Sequence, residues 1–339
     1  VFFYISIKWL SENINSNQIK YFIYIFIATI LFVIIDLVIQ YFFGHDILGY
    51  EAFVPGTPTA YRLTGPFGDE LIPGSYLMKF GLIFSYFFFI LFNINEKKYL
   101  PFLFILLTIS IFITGERAAF VLFVFGSFLV LLFKRYYLSI LSLTILLLFS
   151  LFITISFDEN LKKRMLNYTF YQLNLNSYFD LNGNKNEKNN SFIDNPYGAH
   201  YETAYNIFKD NVIFGAGYKQ FRKECLDEKY FHIAKSKLRE VRCSTHPHNI
   251  FLEILSETGI VGFILFLIII KTIFFEILKS QKINYYLFFQ ITLIFFPFIS
   301  SGSIFTNKNL IYIFFILSLS FIFTKKNFFN KDLNIEFSK

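Results

Sequence analysis

The chain has 339 residues, of which 55% are hydrophobic and 16% are charged, and phenylalanine occurs 51 times. A soluble domain carries roughly 25% charged residues, so this composition excludes an ordinary soluble domain and indicates helices that cross a lipid bilayer. The formal net charge of +7 does not indicate nucleic-acid binding, because lysine and arginine gather in the short segments between apolar runs, as they do in membrane proteins.

Apolar runs that approach the ~20 residues needed to cross a bilayer recur along the chain. They predict an all-α fold, a polytopic transmembrane helical bundle of about eight spans with part of a further span at residues 1–10. In chain order, the predicted spans are residues 21–43, 71–93, 100–114, 118–133, 137–157, 250–270, 284–300 and 310–324.

The long polar segment at residues 158–249 predicts a separate, partly helical cap. Within it, residues 199–209 place apolar side chains at helical spacing, and the glycines that follow predict a turn. We therefore divide the chain into N-terminal membrane helices at residues 1–157, the cap, and C-terminal membrane helices with a cytoplasmic tail at residues 250–339. Because the chain opens within an apolar run, we expect that its first spans are missing.

Basic residues predict the orientation of the bundle, because cytoplasmic loops are enriched in lysine and arginine. The enriched loops all fall on one side, and their basic residues are Lys20, Lys97, Lys98, Lys134, Arg135, Lys271, Lys279, Lys282, Lys325 and Lys326. The cap and all five histidines then lie on the opposite, outer side, where we expect any chemistry to take place.

Two histidines, His246 and His248, stand where the polar cap meets the next apolar run. Imidazole is well suited to move a proton near neutral pH, and Asn249 is a good N-cap that would orient it at a helix start. We favour His248 as a general base. The alternatives are a histidine that packs or caps a helix, and an H-x-H metal site, for which no convincing set of carboxylate or thiolate ligands lies nearby. We expect Gly259 and Gly262 to serve close helix packing only.

Three cations lie either where the membrane makes a charge costly or in an outer loop where they could contact a ligand. Arg117 follows a tight break between two short spans, so we predict that it lies below the outer surface, where a guanidinium requires an anion. That anion is either the neighbouring Glu116 or a phosphate group of a lipid-linked substrate, which arginine holds bidentately. Arg62, in a glycine- and proline-rich outer loop, is either a second clamp or a solvated charge. Lys79 lies inside a span and should face a polar cavity.

Cys225 and Cys243 are the only cysteines in the chain. Both lie in the predicted outer cap, in a compartment that favours disulfides. We expect a bridge between them, which would stabilise the cap by about 3 kcal/mol in the loop-entropy model. Such a bridge predicts a periplasm-like exterior.

Four pieces of the sequence resemble, in family order, the bacterial O-antigen ligase and O-antigen polymerase superfamily. Residues 62–76 (RLTGPFGDELIPGSY) resemble its first outer loop, and residues 114–119 (TGERAA) resemble its recessed-arginine motif. Residues 204–221 (AYNIFKDNVIFGAGYKQF) resemble the segment that leads into its active site. Residues 246–262 (HPHNIFLEILSETGIVG) resemble its signature, which is the most specific of the four pieces.

The resemblance implies a metal-independent, polytopic glycosyltransferase that uses no cofactor. Its donor would be a glycan on undecaprenyl pyrophosphate, and its acceptor the lipid A–core oligosaccharide or another glycan repeat unit. Membrane lipids are further expected partners, and nucleic acid is not. The enzyme would be a multi-pass protein of the bacterial inner membrane, with its active site facing the periplasm.

The resemblance also implies roles for single residues. Carried over by position, Arg62 and Arg117 would bind the pyrophosphate, and His248 would activate the acceptor hydroxyl. The further side chains that we predict to bind substrate are His246, Arg222 and Lys79.

Two other functions stay open beside the ligase. An O-antigen polymerase would use the same chemistry to join repeat units, and we favour the ligase on the TGERAA and HPHN pieces. A transporter or flippase of lipid-linked glycans would make no bond. Its expected mark is discontinuous helices with polar residues near the middle of the bilayer in paired halves, whereas here the polar residues cluster in the predicted outer segments.

Overall fold

The computed structural model describes residues 9, 13, 16–51, 62–167, 169–170, 195–278, 284–297, 301–306, 309–316 and 318. Most of the predicted partial span at residues 1–10, residues 171–194 of the predicted cap and the tail beyond residue 318 lie outside these residues. Within the described part the regular structure is helical, and the one isolated bridge joins His45 to Glu51. The all-α prediction is therefore confirmed for the described residues.

Eleven α-helices follow one another along the described chain. They are α1 (Ser16–Phe43), α2 (Pro73–Phe92), α3 (Glu96–Ile113), α4 (Arg117–Phe133), α5 (Tyr137–Phe157), α6 (Glu159–Lys162), α7 (Pro196–Asp210), α8 (Phe221–Glu224), α9 (Glu228–Ile233), α10 (Ile250–Leu278) and α11 (Tyr285–Ile294). Single helical turns lie at Gly65–Phe67, Lys163–Asn167 and Arg239–Val241, and residues 309–316 are also helical.

Four of these helices, α1, α2, α5 and α10, are long and apolar enough to cross a membrane by length and composition. Helices α4 and α11 are apolar but shorter, and α3 opens with three charged residues, 96–98. The structure thus supports a multi-pass membrane protein. The count of about eight spans and the position of the cap outside the membrane stay predictions.

The chain packs as two compact units. The first unit comprises Val1–Leu166, Ile277–Ile294 and Leu317–Lys339, and the second comprises Asn167–Glu276 and Phe295–Ile316. This division follows packing, whereas the three predicted segments follow the expected position of the membrane, so their boundaries stay a prediction.

Helix α2 is central to the first unit, where α1, α3, α4 and α11 all contact it. Within this apolar bundle a buried amide links two helices. Gln290 of α11 donates to the backbone oxygen of Met78 (3.1 Å) and accepts from the backbone N–H of Leu82 (3.2 Å). A buried amide is tolerated when both of its ends are bonded, so this contact fixes α11 against α2.

The core of the second unit is a buried cluster that encloses one end of a disulfide. The cluster consists of Ala204, Ile207, Phe221, Cys225 and Tyr230. Cys225 is bonded to Cys243 across a Cα–Cα distance of 5.3 Å, within the usual range for a disulfide. The hydroxyl of Tyr230 donates to Asp210 at the end of α7 (3.0 Å). These contacts hold the short helices α8 and α9 against α7.

Helix α10 is discontinuous at Gly259, which has a φ of +64°. Four backbone bonds replace those that a regular helix would make here. The N–H groups of residues 260 and 261 donate to the carbonyl oxygens of residues 212 and 213 (2.8 and 3.3 Å). The carbonyl oxygens of residues 256 and 257 accept from the N–H groups of residues 216 and 217 (both 2.9 Å). Every backbone group that the break frees at these positions is thus bonded to the segment 212–217.

Two glycines make this arrangement possible, because they lie face to face. A Cβ on Gly259 would stand 2.3 Å from the carbonyl oxygen of Ile213. A Cβ on Gly215 would stand 2.3 Å from the carbonyl carbon of Glu257. The prediction that Gly259 serves helix packing only was therefore wrong: it breaks the helix and admits a second stretch of backbone.

Candidate active site

His246 and His248 lie on the turn that enters α10. The side chain of Asn249 accepts from the N–H groups of Phe251 (3.0 Å) and Leu252 (3.1 Å), as expected of an N-cap. His248 has a φ of +57°, in the left-handed region that costs a non-glycine residue about 1–2 kcal/mol. Its carbonyl oxygen accepts from the N–H of Ser301 (2.8 Å), which holds this conformation. Backbone strain of this kind concentrates at functional sites.

Three imidazoles come together at this turn. The ring of His248 lies 4.2 Å from that of His246 and 5.3 Å from that of His200, measured between centroids. The ring of Tyr197 meets His248 edge-on at 5.5 Å. We call His200, His246 and His248 the histidine cluster. His200 lies 46 residues before His246, so the sequence pattern predicted its position on the outer side but no role for it.

Hydrogen bonds define which nitrogens of the cluster carry hydrogen. His246 Nε2 lies 3.3 Å from the carbonyl oxygen of Ser301 and therefore donates, which leaves Nδ1 to accept from Thr245 Oγ1 at 2.9 Å. His200 Nδ1 donates to the carbonyl oxygen of Arg242 (3.0 Å). His248 Nε2 lies 3.1 Å from Ser244 Oγ, a hydroxyl that both donates and accepts. The position of the proton on His248 is thus free to change through Ser244.

The cluster favours neutral imidazoles. Burial is the main cause that lowers the pKa of His248 to about 3, and charge on His246 and His200 contributes to the same decrease. Burial also lowers the pKa values of His246 and His200 from the usual 6.5. At neutral pH all three rings are therefore uncharged and have a lone pair available.

Arg222, on the exposed side of α8, contributes a positive charge to this neighbourhood. Burial, the bond to Ser301 and the charge of His200 have larger effects on the pKa of His246 than Arg222 has. The charge of Arg222 also lowers this pKa. Arg222 also interacts electrostatically with Glu253 and Glu257 of α10. The structure thus brings the predicted residue Arg222 into the same electrostatic environment as His246.

Glu253 fixes the loop that contacts both histidines of the turn. This carboxylate is buried and accepts from the hydroxyl of Ser303 and from the N–H of Ile304 (2.9 Å). Two residues earlier in the same loop, Ser301 bonds to His246 and His248 and accepts from the N–H of Ile250 through its hydroxyl (3.1 Å). Glu253 was not among the predicted site residues, although a carboxylate inside an apolar run is costly and is a signal of function in itself.

Glu257, one turn further along α10, fixes the segment that carries Arg222. Its carboxylate is buried and accepts from the N–H groups of Lys219 (2.6 Å) and Phe221 (3.2 Å) at the start of α8. Together with the bonds at Gly259, these contacts join residues 204–221 to residues 246–262. The third and fourth resemblance pieces therefore form one structure within the second unit.

The first two resemblance pieces also meet, within the first unit. Arg62 forms an ion pair with Glu116 (Nη2–Oε1 3.6 Å), and the N–H of Leu63 donates to the carbonyl oxygen of Thr114 (3.3 Å). The Arg62 side chain is only 18% exposed, so the alternative of a solvated loop charge was wrong. Arg62 also donates to the carbonyl oxygen of Leu71.

Glu116 connects these pieces to the start of α2. Its two carboxylate oxygens accept from the N–H groups of Gly74 (2.8 Å) and Ser75 (3.1 Å), where the helix dipole favours a negative charge. A Cβ on Gly74 would lie 2.4 Å from Thr114 Oγ1 and 2.8 Å from Glu116 Cβ. Only glycine therefore allows this carboxylate to approach the helix.

Further cations lie on the elements next to this carboxylate, and we call the whole group the cation cluster. Lys79, half-buried on α2, interacts electrostatically with Glu116. Arg117 is the half-buried first residue of α4. Arg164, which was not among the predicted site residues, donates to the carbonyl oxygen of residue 115 (3.2 Å). The members of the cation cluster are Arg62, Lys79, Glu116, Arg117 and Arg164.

Within the described ranges, no group of three or more histidine, cysteine, aspartate or glutamate side chains is arranged to hold a metal ion. The catalytic and substrate-binding roles of the predicted residues, and the metal-free mechanism, stay predictions.

Residues 102–267 match the family model described as O-antigen ligase. The match confirms the resemblance to the O-antigen ligase and O-antigen polymerase superfamily. It includes Arg117, Arg222, His246 and His248, and it begins after Arg62 and Lys79. No curated protein matches the chain.

Proposed function

We propose that this protein transfers an O-antigen glycan from undecaprenyl pyrophosphate to a lipid A–core acceptor. The proposal starts from the match of residues 102–267 to the O-antigen ligase family, which is a family of membrane glycosyltransferases. The reaction takes place at the periplasmic face of the bacterial inner membrane. The observation that carries the proposal is the histidine cluster, in which His248 is uncharged and held in a strained conformation at the entry to a membrane-length helix.

The mechanism is a single displacement. His248 accepts the proton of the acceptor hydroxyl while the hydroxyl oxygen attacks the anomeric carbon. The bond from that carbon to the pyrophosphate oxygen breaks, with inversion at the carbon. Undecaprenyl pyrophosphate leaves with the negative charge, which Arg117 and Arg62 stabilise. The imidazolium of His248 then loses its proton to water, and the base is restored.

The low pKa of His248 determines the timing of the proton transfer. A base whose pKa is about 3 does not remove a proton from a free hydroxyl to any useful extent. The transfer must therefore accompany formation of the new bond, as the hydroxyl becomes acidic. Ser244 and His246 hold the imidazole ready for this step, and Arg222 and Lys79 bind the substrate.

The reaction needs no metal ion in this proposal, because guanidinium groups stabilise the negative charge on the leaving pyrophosphate that a metal ion would otherwise stabilise. Glycan transfer should therefore continue in excess chelator. Loss of transfer that a divalent cation restores would support metal catalysis at the H-x-H pair instead.

Transport of the lipid-linked glycan is the alternative from another class, and the break in α10 is a feature that transporters share. In transporters, however, the backbone groups freed by such a break bind the substrate or its coupled ion. Here the groups of residues 256, 257, 260 and 261 are bonded to the segment 212–217. This observation favours a structural role for the break.

The test measures glycan transfer in membranes of a deletion strain that carries either His248→Ala or Arg117→Ala. Both should reduce transfer strongly, whereas His232→Ala and Arg239→Ala, at exposed positions, should not. Near-normal transfer in both site variants would refute the proposal. Glycan analysis of the same strain separates ligase from polymerase: polymer that remains on undecaprenyl indicates a ligase, and single repeat units indicate a polymerase.

A further inference from the structure

Three consecutive apolar side chains in the predicted outer cap point away from the protein. Val212, Ile213 and Phe214 are 46%, 59% and 74% exposed. They follow the end of α7 and belong to the segment that fills the break in α10. A surface loop in water rarely presents three large apolar side chains in a row.

The backbone of this loop is well bonded, which a loop in water would not require. The carbonyl oxygens of Val212 and Ile213 accept from the N–H groups of residues 260 and 261. The N–H of Gly215 donates to the carbonyl oxygen of Asn211 (2.9 Å), and the next two N–H groups donate to α10. Irregular backbone enters hydrocarbon only where its polar groups are bonded within the protein. This loop meets that requirement at these groups and exposes apolar side chains.

The exposure of the side chains on α10 changes at the break at Gly259. Before the break, residues 250–258 are mainly buried or half-buried, and they include both glutamates. After it, ten of the sixteen residues 260–275 are exposed and eight of these ten are apolar, as in a helix that faces lipid. Ile260 and Val261 open this second stretch and are bonded to the loop. The apolar surface of the loop is thus continuous with that of a membrane-length helix.

We propose that Val212, Ile213 and Phe214 insert into the hydrocarbon of the membrane and, with Ile260 and Val261, anchor the second unit at the lipid surface. The ligand of this surface is the acyl chains of the bilayer. The surface is distinct from the histidine cluster and needs no assumption about the reaction.

The insertion has a consequence for the depth of the histidine turn. An α-helix rises about 1.5 Å per residue, so Ile250 stands roughly 13 Å from Gly259 along the axis. With the loop at the edge of the hydrocarbon, the histidine turn lies in or above the layer of headgroups. The membrane boundary then falls near Gly259 and not at Ile250, where the apolar run begins.

Fluorescence quenching tests the insertion, because the chain contains a single tryptophan. In a Trp9→Phe background, Phe214→Trp places the only indole on the loop. Vesicles made with lipids brominated along the acyl chains should quench this indole, and acrylamide in the water should quench it weakly. The matched control is Leu226→Trp, at a position 65% exposed on the short turn after α8. Its indole should show the opposite pattern.

Equal quenching of the two variants by brominated lipid, or stronger quenching of Phe214→Trp by acrylamide, would overturn the proposal. Ile213→Trp provides a second probe should Phe214→Trp fail to give a monodisperse protein. The readout is independent of glycan transfer. A protein that shows the expected quenching but transfers no glycan would refute the proposed reaction and leave the insertion intact.

Discussion

The histidine cluster and the cation cluster are held in place by different physical means. Uncharged rings form the first, and hydrogen bonds to hydroxyls and carbonyls fix them around the strained backbone of His248. Charged groups form the second, in which Glu116 pairs with Arg62 and its oxygens are bonded to the start of α2. A proton acceptor must be uncharged to act, whereas an anion site must be charged, so each environment suits the chemistry proposed for it.

The two clusters differ in whether a residue assigned to function also stabilises the fold. In the cation cluster, Glu116 holds the first two resemblance pieces together, so its loss should affect folding as well as binding. At the histidine turn, the strained residue is the one assigned to the chemistry. Its removal should therefore abolish activity while the fold is retained.

The largest expected effect is on transfer by His248→Asn. Asparagine tolerates positive φ better than most residues, but it has no basic nitrogen. We expect transfer to fall by about 10²–10⁴-fold, the usual contribution of a general base, and the free energy of unfolding to change by less than ~1 kcal/mol. Parallel transfer assays and thermal unfolding in detergent measure both quantities. A variant that unfolds at much lower temperature would show that the strain is structural, and His232→Asn should leave both quantities unchanged.

The next largest effect is on folding, through the break in α10. In Gly259→Ala the new methyl group would collide with the carbonyl of Ile213, and alanine at a φ of +64° is strained. We expect a loss of about 2–5 kcal/mol in the free energy of unfolding from these two causes. Ile264→Ala, at an exposed position on the same helix, should cost far less. Similar unfolding of the two variants would mean that residues 212–217 do not occupy the break.

A smaller effect on folding, combined with one on binding, is expected for Glu116→Gln. The amide keeps one acceptor for the N–H groups of Gly74 and Ser75 but loses the ion pair with Arg62. We expect a loss of about 1–3 kcal/mol in the free energy of unfolding and a raised KM for the lipid-linked donor. Glu159→Gln removes an exposed carboxylate as the control. A Glu116→Gln protein with normal stability would remove the contrast between the two clusters.

Local features of the sequence were sufficient to predict most of the helices. The predicted spans at residues 71–93, 118–133 and 137–157 agree closely with α2, α4 and α5, because each apolar run is bounded by turn residues or charges. The N-cap at Asn249 was also predictable, since capping depends on neighbouring residues alone. Helix α10 was harder: it continues past residue 270 to Leu278, and its apolar composition concealed the break at Gly259.

Contacts between distant residues were beyond the reach of sequence patterns. Glu116 was weighed as the partner of its neighbour Arg117, whereas the structure pairs it with Arg62, 54 residues earlier. Glu253 lies in an apolar run, and its partner Ser303 follows 50 residues later. Periodicity shows which face of a helix is polar, but the identity of the partner depends on the fold.

The last prediction concerns pH and separates the histidine cluster from an ordinary histidine site. The ring of His248 faces His200, His246 and Tyr197, and burial is the main cause of its lowered pKa of about 3. An ordinary histidine with a pKa of 6.5 would be only about a quarter unprotonated at pH 6. Transfer that depends on His248 should instead stay nearly constant from pH 8 to pH 6.

Acid should act on folding instead, since the unfolded chain binds protons that the folded cluster does not. The folded state keeps its full stability above pH 6.5, the pKa of His248 in the unfolded chain. That stability decreases as the pH falls towards about 3, the pKa of His248 in the folded protein. For His248 alone we expect a loss on the order of 1 kcal/mol between pH 7.5 and pH 6. His248→Asn should show a smaller loss over the same range. A transfer rate that halves near pH 6.5 in the stable protein would contradict the buried, uncharged state of His248 and with it the contrast between the two clusters.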